Sequence, residues 1–355
     1  MYRLASRALH VLQPEDAHVL TIQLLKAGLG PTSTLDTPEL SVTVPFDGGT
    51  LRVRNCIGLA AGFDKNADVP LAMLKAGFGF VECGTVTPLP QAGNPKPRLF
   101  RLSEDRAVIN RMGFNNDGLD AFAANMERHL PKRRDGVIGL NIGANKDASD
   151  RMADYLTGLK RLWGLGDYFT VNISSPNTPG LRALQGRSYL DDLLGQINET
   201  RVALKTATGF NMPIFLKIAP DLTPAEIADT VEATLKHGLD GLIVSNTTLS
   251  RDGLTSRFRD EAGGMSGAPL FELATTALRI ARDASGGKLL LIGAGGVDSG
   301  ARAYAKIRAG ASLVQLYSAM VYGGPGLADA IRRDLVARLK ADGFRSVAEA
   351  VGADR

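Results

Sequence analysis

The chain has 355 residues, enough for one large hydrophobic core or two ordinary ones. Apolar residues make up 44% of the sequence and charged residues 22%, as in soluble globular proteins. The 41 basic residues barely outnumber the 37 acidic ones, and a net charge of +4 is too small to indicate nucleic acid as the main partner.

The sequence also lacks several features that would place it in other classes of protein. Cys56 and Cys83 are the only cysteines and form no C-x-x-C pair, so we expect a reducing compartment and no bound metal or iron–sulfur cluster. No apolar run approaches the roughly 18 residues that a membrane-spanning helix needs. The N-terminus does not show the apolar segment and small-residue cleavage site of a secretory signal.

Two short helices are predicted before residue 38. The first covers residues 2–12 and carries Arg3, Arg7 and His10, and the second begins at Pro14 with acidic residues in its first turn. Each has roughly 11–14 residues and is therefore too short to cross the hydrocarbon layer of a membrane. The pair could lie on a membrane surface, or it could pack as a helical hairpin on the rest of the chain, and periodicity alone leaves both open.

The rest of the chain has the pattern of a (β/α)8 barrel. A β-hairpin, Val42–Val44 with Leu51–Val53, precedes it and is expected to close the barrel bottom. The eight predicted strands are Ile57–Ala61, Phe78–Cys83, Val137–Ile142, Phe169–Ile173, Ile214–Ile218, Gly241–Val244, Leu289–Ile292 and Leu313–Tyr317. The predicted helices between them include Asp117–His129, Met152–Leu162, Tyr189–Thr206, Pro224–His237, Phe271–Asp283 and Ala301–Ala309. We expect an N-terminal module over residues 1–38 and one barrel over residues 39–355.

Polar residues and glycines end the predicted strands, and in a barrel all these ends meet at one rim. Asn141, Asn172 and Asn246 could read a flat polar ring through paired donors and acceptors, while Lys65 suits a carboxylate. The glycine-rich turn at residues 293–296 follows the seventh strand, where barrels commonly bind phosphate. The rim therefore predicts a site for a phosphorylated cofactor and a flat, acidic substrate.

Two rim residues have several possible roles. Lys217 lies among apolar neighbours and needs an anion; it could form a Schiff base, stabilise negative charge on a cofactor, or extend to solvent. Ser175 follows the fourth strand and could be a catalytic hydroxyl or part of an ordinary turn. None of the four histidines falls at a strand end, so the usual general base is missing from the predicted rim.

Beyond this pattern, the chain resembles the dihydroorotate dehydrogenases over nearly its whole length, and within them the class 2, quinone-dependent, membrane-associated branch. The motifs that carry the resemblance are Ala60–Asn66, Gly84–Pro88, Gly93–Arg98, Asn110–Asn116, Asn172–Asn177, Ser245–Thr248, Gly263–Gly267 and Leu316–Ser318. Ser175 stands where class 1 members carry a cysteine, and the two N-terminal helices match the class 2 extension.

The resemblance implies an FMN-binding barrel that oxidises dihydroorotate to orotate in de novo pyrimidine biosynthesis. Ser175 would remove the ring C5 proton, the C6 hydride would pass to FMN, and a membrane quinone would take the electrons. The residues implied for the substrate are Lys65, Asn110, Arg111, Met112, Gly113, Phe114, Asn172, Asn177, Asn246 and Thr247. Those implied for FMN are Ala61, Gly62, Phe63, Asp64, Lys65, Thr85, Asn141, Asn172, Lys217, Ser245, Gly267, Gly296, Tyr317 and Ser318.

The same resemblance implies a peripheral protein at the cytoplasmic face of the inner membrane, bound through its N-terminal helices. Serine is a weak base without a proton acceptor, and we predict that Thr178 and a water relay its proton outward.

Other functions remain open at this stage. The chain could be a soluble class 1-like enzyme that uses fumarate or NAD, or another FMN-dependent barrel oxidoreductase. A Schiff-base barrel using Lys217 would differ by having no flavin spectrum. The mild charge argues against an RNA-modifying flavin barrel, and a membrane-surface adaptor would leave the polar rim unexplained.

Overall fold

The computed structural model describes residues 11–132, 136–178, 180–324 and 326–354. All but the last two residues of the first predicted helix, with Arg3, Arg7 and His10, lie outside this part of the chain. The strands are β1 Val42–Phe46, β2 Gly49–Val53, β3 Ile57–Leu59, β4 Phe80–Val86, β5 Leu99–Leu102, β6 Ala107–Asn110, β7 Val137–Ile142, β8 Tyr168–Asn172, β9 Ile214–Ile218, β10 Gly241–Val244, β11 Gly264–Gly267, β12 Leu290–Ala294 and β13 Leu313–Leu316. The helices are α1 Pro14–Lys26, α2 Pro70–Lys75, α3 Gly118–His129, α4 Arg151–Leu162, α5 Arg187–Thr208, α6 Pro224–Lys236, α7 Phe271–Ser285, α8 Gly300–Arg308, α9 Ala319–Gly323, α10 Leu327–Ala341 and α11 Val347–Ala350.

Eight parallel strands close into a barrel in the order β3, β4, β7, β8, β9, β10, β12 and β13. Every residue of β4, β7, β8 and β9 is buried, because one face of each strand fills the barrel interior and the other packs under the surrounding helices. The predicted (β/α)8 fold is therefore confirmed, and the carboxyl ends of these strands form one rim.

The predicted hairpin forms, but its strands are longer than expected. β1 and β2 pair from Val42 opposite Val53 to Phe46 opposite Gly49, so only two residues remain in the turn. Pro45 is tolerated because a two-stranded ribbon has a free edge that needs no N–H donor. Asp47 in the turn accepts from Lys205 and Asn211, just before β9, so the hairpin lies at the amino end of the barrel strands.

A small antiparallel sheet over the rim was not predicted. β5, β6 and β11 pair in the order β11, β6, β5 and enclose a core of their own around Phe100, Leu102, Ile109 and Met265. These strands belong to the long loops after β4 and β10. The sheet therefore covers the rim and helps to enclose whatever binds there.

α1 packs beside this sheet with one apolar side inward and one exposed. Leu25 joins the main core, whereas Val19 is 49% exposed and Leu29, just beyond the helix, is 65% exposed. Among the helices described, none has both the length and the apolar composition of a membrane span. The domain boundary at residue 38 stays a prediction.

Candidate active site

A cavity of about 500 Å³ occupies the carboxyl end of the barrel. Its floor is formed by rim residues, its roof by the small sheet, and its outer part by α1 and the segment that follows it. It reaches from Ser175 and Lys217 in the barrel to Leu24, Leu29 and Pro31 near the protein surface. One continuous space therefore joins the predicted reaction site to the N-terminal helix.

Most of the predicted site residues line this cavity. They are Ala61, Gly62, Phe63, Lys65, Thr85, Asn110, Met112, Gly113, Phe114, Asn172, Ser175, Asn177, Lys217, Ser245, Asn246, Thr247, Gly267, Gly296, Tyr317 and Ser318. Residues that the sequence reading did not single out also line it, among them Thr21, Arg101, Arg106 and Val108. They lie in α1, in the small sheet and in the loop between its strands, so a search of the residues that follow barrel strands does not find them.

Three predicted residues do not line the cavity. Asp64 accepts from the backbone N–H groups of Asp68 and Val69, and burial raises the pKa of its carboxyl to about 6. Arg111 forms an ion pair with Glu261 at 2.7 Å and lies over a neighbouring aromatic ring. Asn141 lies behind Thr85 and Asn172, which line the cavity and hydrogen-bond to its side chain.

Asn141 belongs to a hydrogen-bond network centred on a buried carboxylate. Its Nδ2 donates to Glu82 Oε1 at 2.7 Å, so its Oδ1 is left to accept from Thr85 Oγ1 and from Asn172 Nδ2. Glu82 Oε2 also accepts from Tyr168 Oη and Thr170 Oγ1, both at 3.0 Å, and from a glutamine side chain of β13 at 2.9 Å. Because a carboxylate only accepts, Glu82 fixes which side of the Asn141 amide faces the rim.

The same ordering continues toward the loop after β8. Asn172 Oδ1 accepts from Ser174 Oγ at 2.8 Å, and Ser174 Oγ accepts from Asn246 Nδ2 at 2.9 Å. Asn246 Oδ1 in turn accepts from the backbone N–H of Thr247 at 2.8 Å. Both asparagine amides are thus held in one orientation before any ligand binds, which favours selective recognition of a polar ring.

Ser175 lies at the cavity wall and is 5% exposed. Its Oγ accepts from the backbone N–H of Asn177 at 3.2 Å, so its own proton remains available to another acceptor. The hydroxyl of Thr178 is buried and has no hydrogen-bond partner among the described residues. Thr178 lies three positions beyond Ser175. An unpartnered buried hydroxyl at this position fits a group that contacts a water or a substrate.

Two lysines in the barrel part of the cavity, Lys217 buried and Lys65 partly buried, contribute positive charge there. Burial lowers the pKa of Lys65 to about 8, and the nearby carboxylate of Glu15 partly opposes this effect. Burial also lowers the pKa of Lys217, against the opposing effect of Glu82. Neither ammonium group forms an ion pair within the part of the chain that the structure describes. An anionic ligand in the cavity would satisfy both.

The turn after β12 has the backbone of a phosphate cradle. Gly295 and Gly296 both have positive φ, at 93° and 75°, and a Cβ at Gly296 would lie 2.5 Å from the Cα of Phe271. Only glycine fits there. The following helix, α8, is capped by Ser299, whose side chain accepts from the backbone N–H of Arg302, and its free N–H groups add positive potential. The residues present therefore fit a phosphate-bearing cofactor.

A histidine lies in the outer half of the cavity, where the sequence had placed none. His18 of α1 stacks edge-on against Phe63, with ring centres 5.4 Å apart, and its Nδ1 lies 3.5 Å from the hydroxyl of Tyr317. Burial lowers the pKa of His18 to about 3, so its ring is neutral. The sequence places no histidine at the end of a barrel strand, and His18 reaches the outer cavity because α1 packs over the rim from far away in sequence.

The fold and this cavity together define a barrel enzyme whose site suits a flat, phosphorylated cofactor beside an acidic ring. Residues 44–339 match the model of the family described as dihydroorotate dehydrogenase. The chain therefore belongs to the dihydroorotate dehydrogenase family, as its sequence motifs predict.

Individual members of this family match the chain over nearly its full length. The chain is 54% identical to a dihydroorotate dehydrogenase (quinone) from Parvibaculum lavamentivorans, with 100% of this chain and 99% of the relative covered. It is 53% identical to the protein of the same name from Rhodospirillum rubrum, with 99% and 94% covered. Among solved structures, the Eimeria tenella DHODH in complex with ferulenol superposes with a TM-score of 0.91 at 41% identity, covering 96% of each chain. The quinone-dependent branch predicted from the sequence is the one to which these bacterial relatives belong.

Proposed function

We propose that this chain oxidises dihydroorotate to orotate with FMN as the bound hydride acceptor and a membrane quinone as the final acceptor, in de novo pyrimidine biosynthesis. The observation that carries the proposal is the single cavity with Ser175 and the two lysines at one end and α1 at the other. Both half-reactions of such an enzyme need access to the same cofactor, and a continuous cavity provides that access.

At the substrate end, each group has a task that its chemistry allows. Lys65 binds the carboxylate of dihydroorotate, since it is a partly buried cation that lines the cavity and has no ion-pair partner among the described residues. The oriented amides of Asn172 and Asn246 bind the ring N–H and C=O groups, with Asn110 and Asn177 beside them. The remaining predicted substrate residues, Arg111, Met112, Gly113, Phe114 and Thr247, belong to the segments that close around the ring.

At the cofactor end, the residues present fit FMN. Gly295 and Gly296 bind the phosphate through backbone N–H groups, and Thr85, Asn172 and Lys217 contact the ring system. FMN, when bound, accepts the hydride from the substrate C6. Lys217 stabilises negative charge at the cofactor site, because its ammonium is buried and faces the cavity. The other proposed cofactor residues are Ala61, Gly62, Phe63, Lys65, Ser245, Gly267, Tyr317 and Ser318, which line the cavity, with Asn141 behind Thr85 and Asn172. Asp64, which turns away from the cavity, is not among them.

Ser175 removes the C5 proton of the substrate. Its hydroxyl needs an acceptor in turn, and no carboxylate or imidazole hydrogen-bonds to it among the described residues. The unpartnered hydroxyl of Thr178 fits the first step of a relay through water. The surrounding lysines and amides stabilise the negative charge that develops on the ring as the proton leaves.

The N-terminal module, residues 1–38, is proposed as the docking site for the membrane and the quinone, at the cytoplasmic face of the inner membrane. α1 presents exposed Val19, Leu20 and Leu24 beside the outer end of the cavity. Apolar side chains at that position suit the headgroup boundary of a bilayer, where an apolar quinone dissolves. Deleting residues 1–38 is expected to abolish quinone turnover and to leave flavin binding in place; a fully active truncated chain would contradict this role.

The experiment that tests the dehydrogenase activity is anaerobic addition of dihydroorotate to the purified chain. We expect a yellow protein whose flavin absorbance is bleached, with one orotate formed per flavin. A protein without a flavin spectrum would contradict the proposal and favour the Schiff-base alternative for Lys217. A flavin that dihydroorotate does not reduce would favour another substrate for the same barrel.

A further inference from the structure

We propose that Glu15 is a positioning residue for dihydroorotate oxidation: through Arg98 and Asn94 it holds the loop that carries Ser175. This inference rests on the proposed function and extends it, because it gives α1 a part in the substrate half-reaction as well as in quinone access. The observation behind it is a continuous chain of contacts from α1 to the Ser175 hydroxyl.

The chain of contacts begins at a buried ion pair. Arg98 Nη2 lies 2.7 Å from Glu15 Oε1, and Arg98 Nε lies 3.2 Å from both carboxylate oxygens. The two side chains are only 8% and 15% exposed. Lys96 adds a weaker contact at 3.5 Å and is largely exposed. A two-pronged pair shielded from water fixes the guanidinium more strictly than a surface ion pair does.

The other side of the guanidinium holds a loop of the barrel. Arg98 Nη1 donates to the backbone carbonyls of Ala92, at 2.6 Å, and Asn94, at 2.9 Å. Gly93 between them has a φ of 77°, and a Cβ there would lie 2.2 Å from the carbonyl oxygen of Met112. The loop is thus closely packed, and a rotation of the Arg98 side chain would break its hydrogen bonds to the two loop carbonyl groups.

This loop contacts the catalytic segment directly. The side chain of Asn94 donates to the carbonyl of Asn177 at 3.2 Å and to that of Arg111 at 3.0 Å. Asn177 donates its backbone N–H to Ser175 Oγ, and its side-chain amide donates to Asn110 Oδ1, each at 3.2 Å. Glu15 is therefore linked to Ser175 through Arg98, Asn94 and Asn177.

Glu15 also acts on the substrate end through its charge. It is the nearby carboxylate that most opposes the effect of burial on the pKa of Lys65, while Arg98 acts in the opposite direction. Losing the Glu15 charge would leave Arg98 uncompensated beside Lys65. The geometry therefore predicts weaker binding of an acidic ligand when Glu15 is neutral, and the loss of its charge predicts a still lower pKa for Lys65.

The test compares full-length Glu15→Gln with Asp16→Asn, which removes the same charge from the next position of α1. Asp16 is exposed and forms no ion pair among the described residues, so it is a matched control. Orotate binding is measured by calorimetry, and flavin reduction by dihydroorotate is followed anaerobically without quinone. In Glu15→Gln we expect orotate to bind about tenfold more weakly and reduction to slow by a similar factor, the size of one lost charged hydrogen bond. Asp16→Asn is expected to match the native chain in both measurements.

Native orotate affinity and native flavin reduction in Glu15→Gln, with slower quinone reoxidation alone, would overturn the inference. So would equal losses in Asp16→Asn. Arg98→Lys provides a second variant, since lysine keeps the charge but cannot contact the carboxylate and two carbonyls at once; it too must weaken orotate binding, and unchanged binding overturns the inference. A native chain that fails to bind orotate would instead contradict the proposed function.

Discussion

The two ends of the cavity are built in opposite ways. In the barrel, Glu82, Asn141 and Asn172 are buried and hydrogen-bonded to one another, so their polar groups are fixed before a ligand arrives. At the outer end, Leu24 and Leu29 are 37% and 65% exposed and come from a helix and a loop rather than from strands. The difference indicates that the reaction depends on polar groups held in a fixed orientation. Entry of a ligand at the outer end depends instead on an apolar surface, in which single side chains can be replaced with little effect on the fold.

The largest effect on the rate is expected at Ser175, in the part of the cavity where the polar groups are held in fixed orientations. Ser175→Ala removes the hydroxyl that takes the substrate proton, and flavin reduction by dihydroorotate should slow by about 10²–10⁴-fold. Stopped-flow absorbance under anaerobic conditions measures this rate. Orotate affinity should stay within a few-fold of native, because the neighbouring amides are untouched. Native reduction rates in this variant would place the base elsewhere.

The barrel end should also respond to the loss of its central carboxylate. Glu82→Leu leaves Asn141, Tyr168 and Thr170 as buried donors without their acceptor, and we expect a loss of about 3–5 kcal/mol in the free energy of unfolding. Denaturant titration measures it. Glu82→Gln is the matched control and should cost clearly less, since the amide oxygen can still accept from Asn141. Equal stability of the native chain and the leucine variant would refute the network.

The charge on Lys65 gives the substrate end a pH dependence. Burial lowers the pKa of Lys65 to about 8, so its ammonium is present below that pH and is lost as the pH rises through it. We therefore expect orotate affinity to fall about tenfold between pH 7 and pH 9. Calorimetry across this range checks the slope. Lys65→Met should bind orotate weakly at every pH, and a native-like slope in that variant would assign the titration to another group.

A smaller effect is expected from the proposed relay. Thr178→Val is nearly isosteric and removes a buried hydroxyl that has no partner among the described residues, so the fold should be unaffected. Flavin reduction should slow by about tenfold, at the low end of what a positioned proton-transfer group contributes. An unchanged reduction rate would exclude Thr178 from the proton path.

The smallest effect on stability is expected at the outer end. Leu29→Ser replaces a side chain that is 65% exposed, so the free energy of unfolding should change by less than about 0.5 kcal/mol. Binding to anionic lipid vesicles, measured by co-sedimentation, should nevertheless weaken several-fold. Val202→Ser, which is 53% exposed on α5, should leave vesicle binding unchanged. Equal losses in both variants would argue against a membrane surface near α1.

The sequence predicted the barrel well because each barrel strand is a short apolar run that ends in a polar or glycine residue. It missed β5, β6 and β11, since strands of four residues inside long loops leave no recognisable pattern. It could not tell that Asp64 and Arg111 turn away from the cavity, because side-chain direction depends on partners such as Glu261. The pair between Glu15 and Arg98 joins positions 83 residues apart and follows only from the folded chain.

The most direct test of the whole account is the choice of oxidant for the reduced protein. After dihydroorotate has bleached the flavin of the full-length chain anaerobically, one equivalent of a quinone is added to one sample and one equivalent of fumarate or NAD to others. We predict rapid recovery of the flavin absorbance with quinone and none with fumarate or NAD. Recovery with fumarate or NAD but not with quinone would contradict the role of α1 and of the apolar outer end of the cavity.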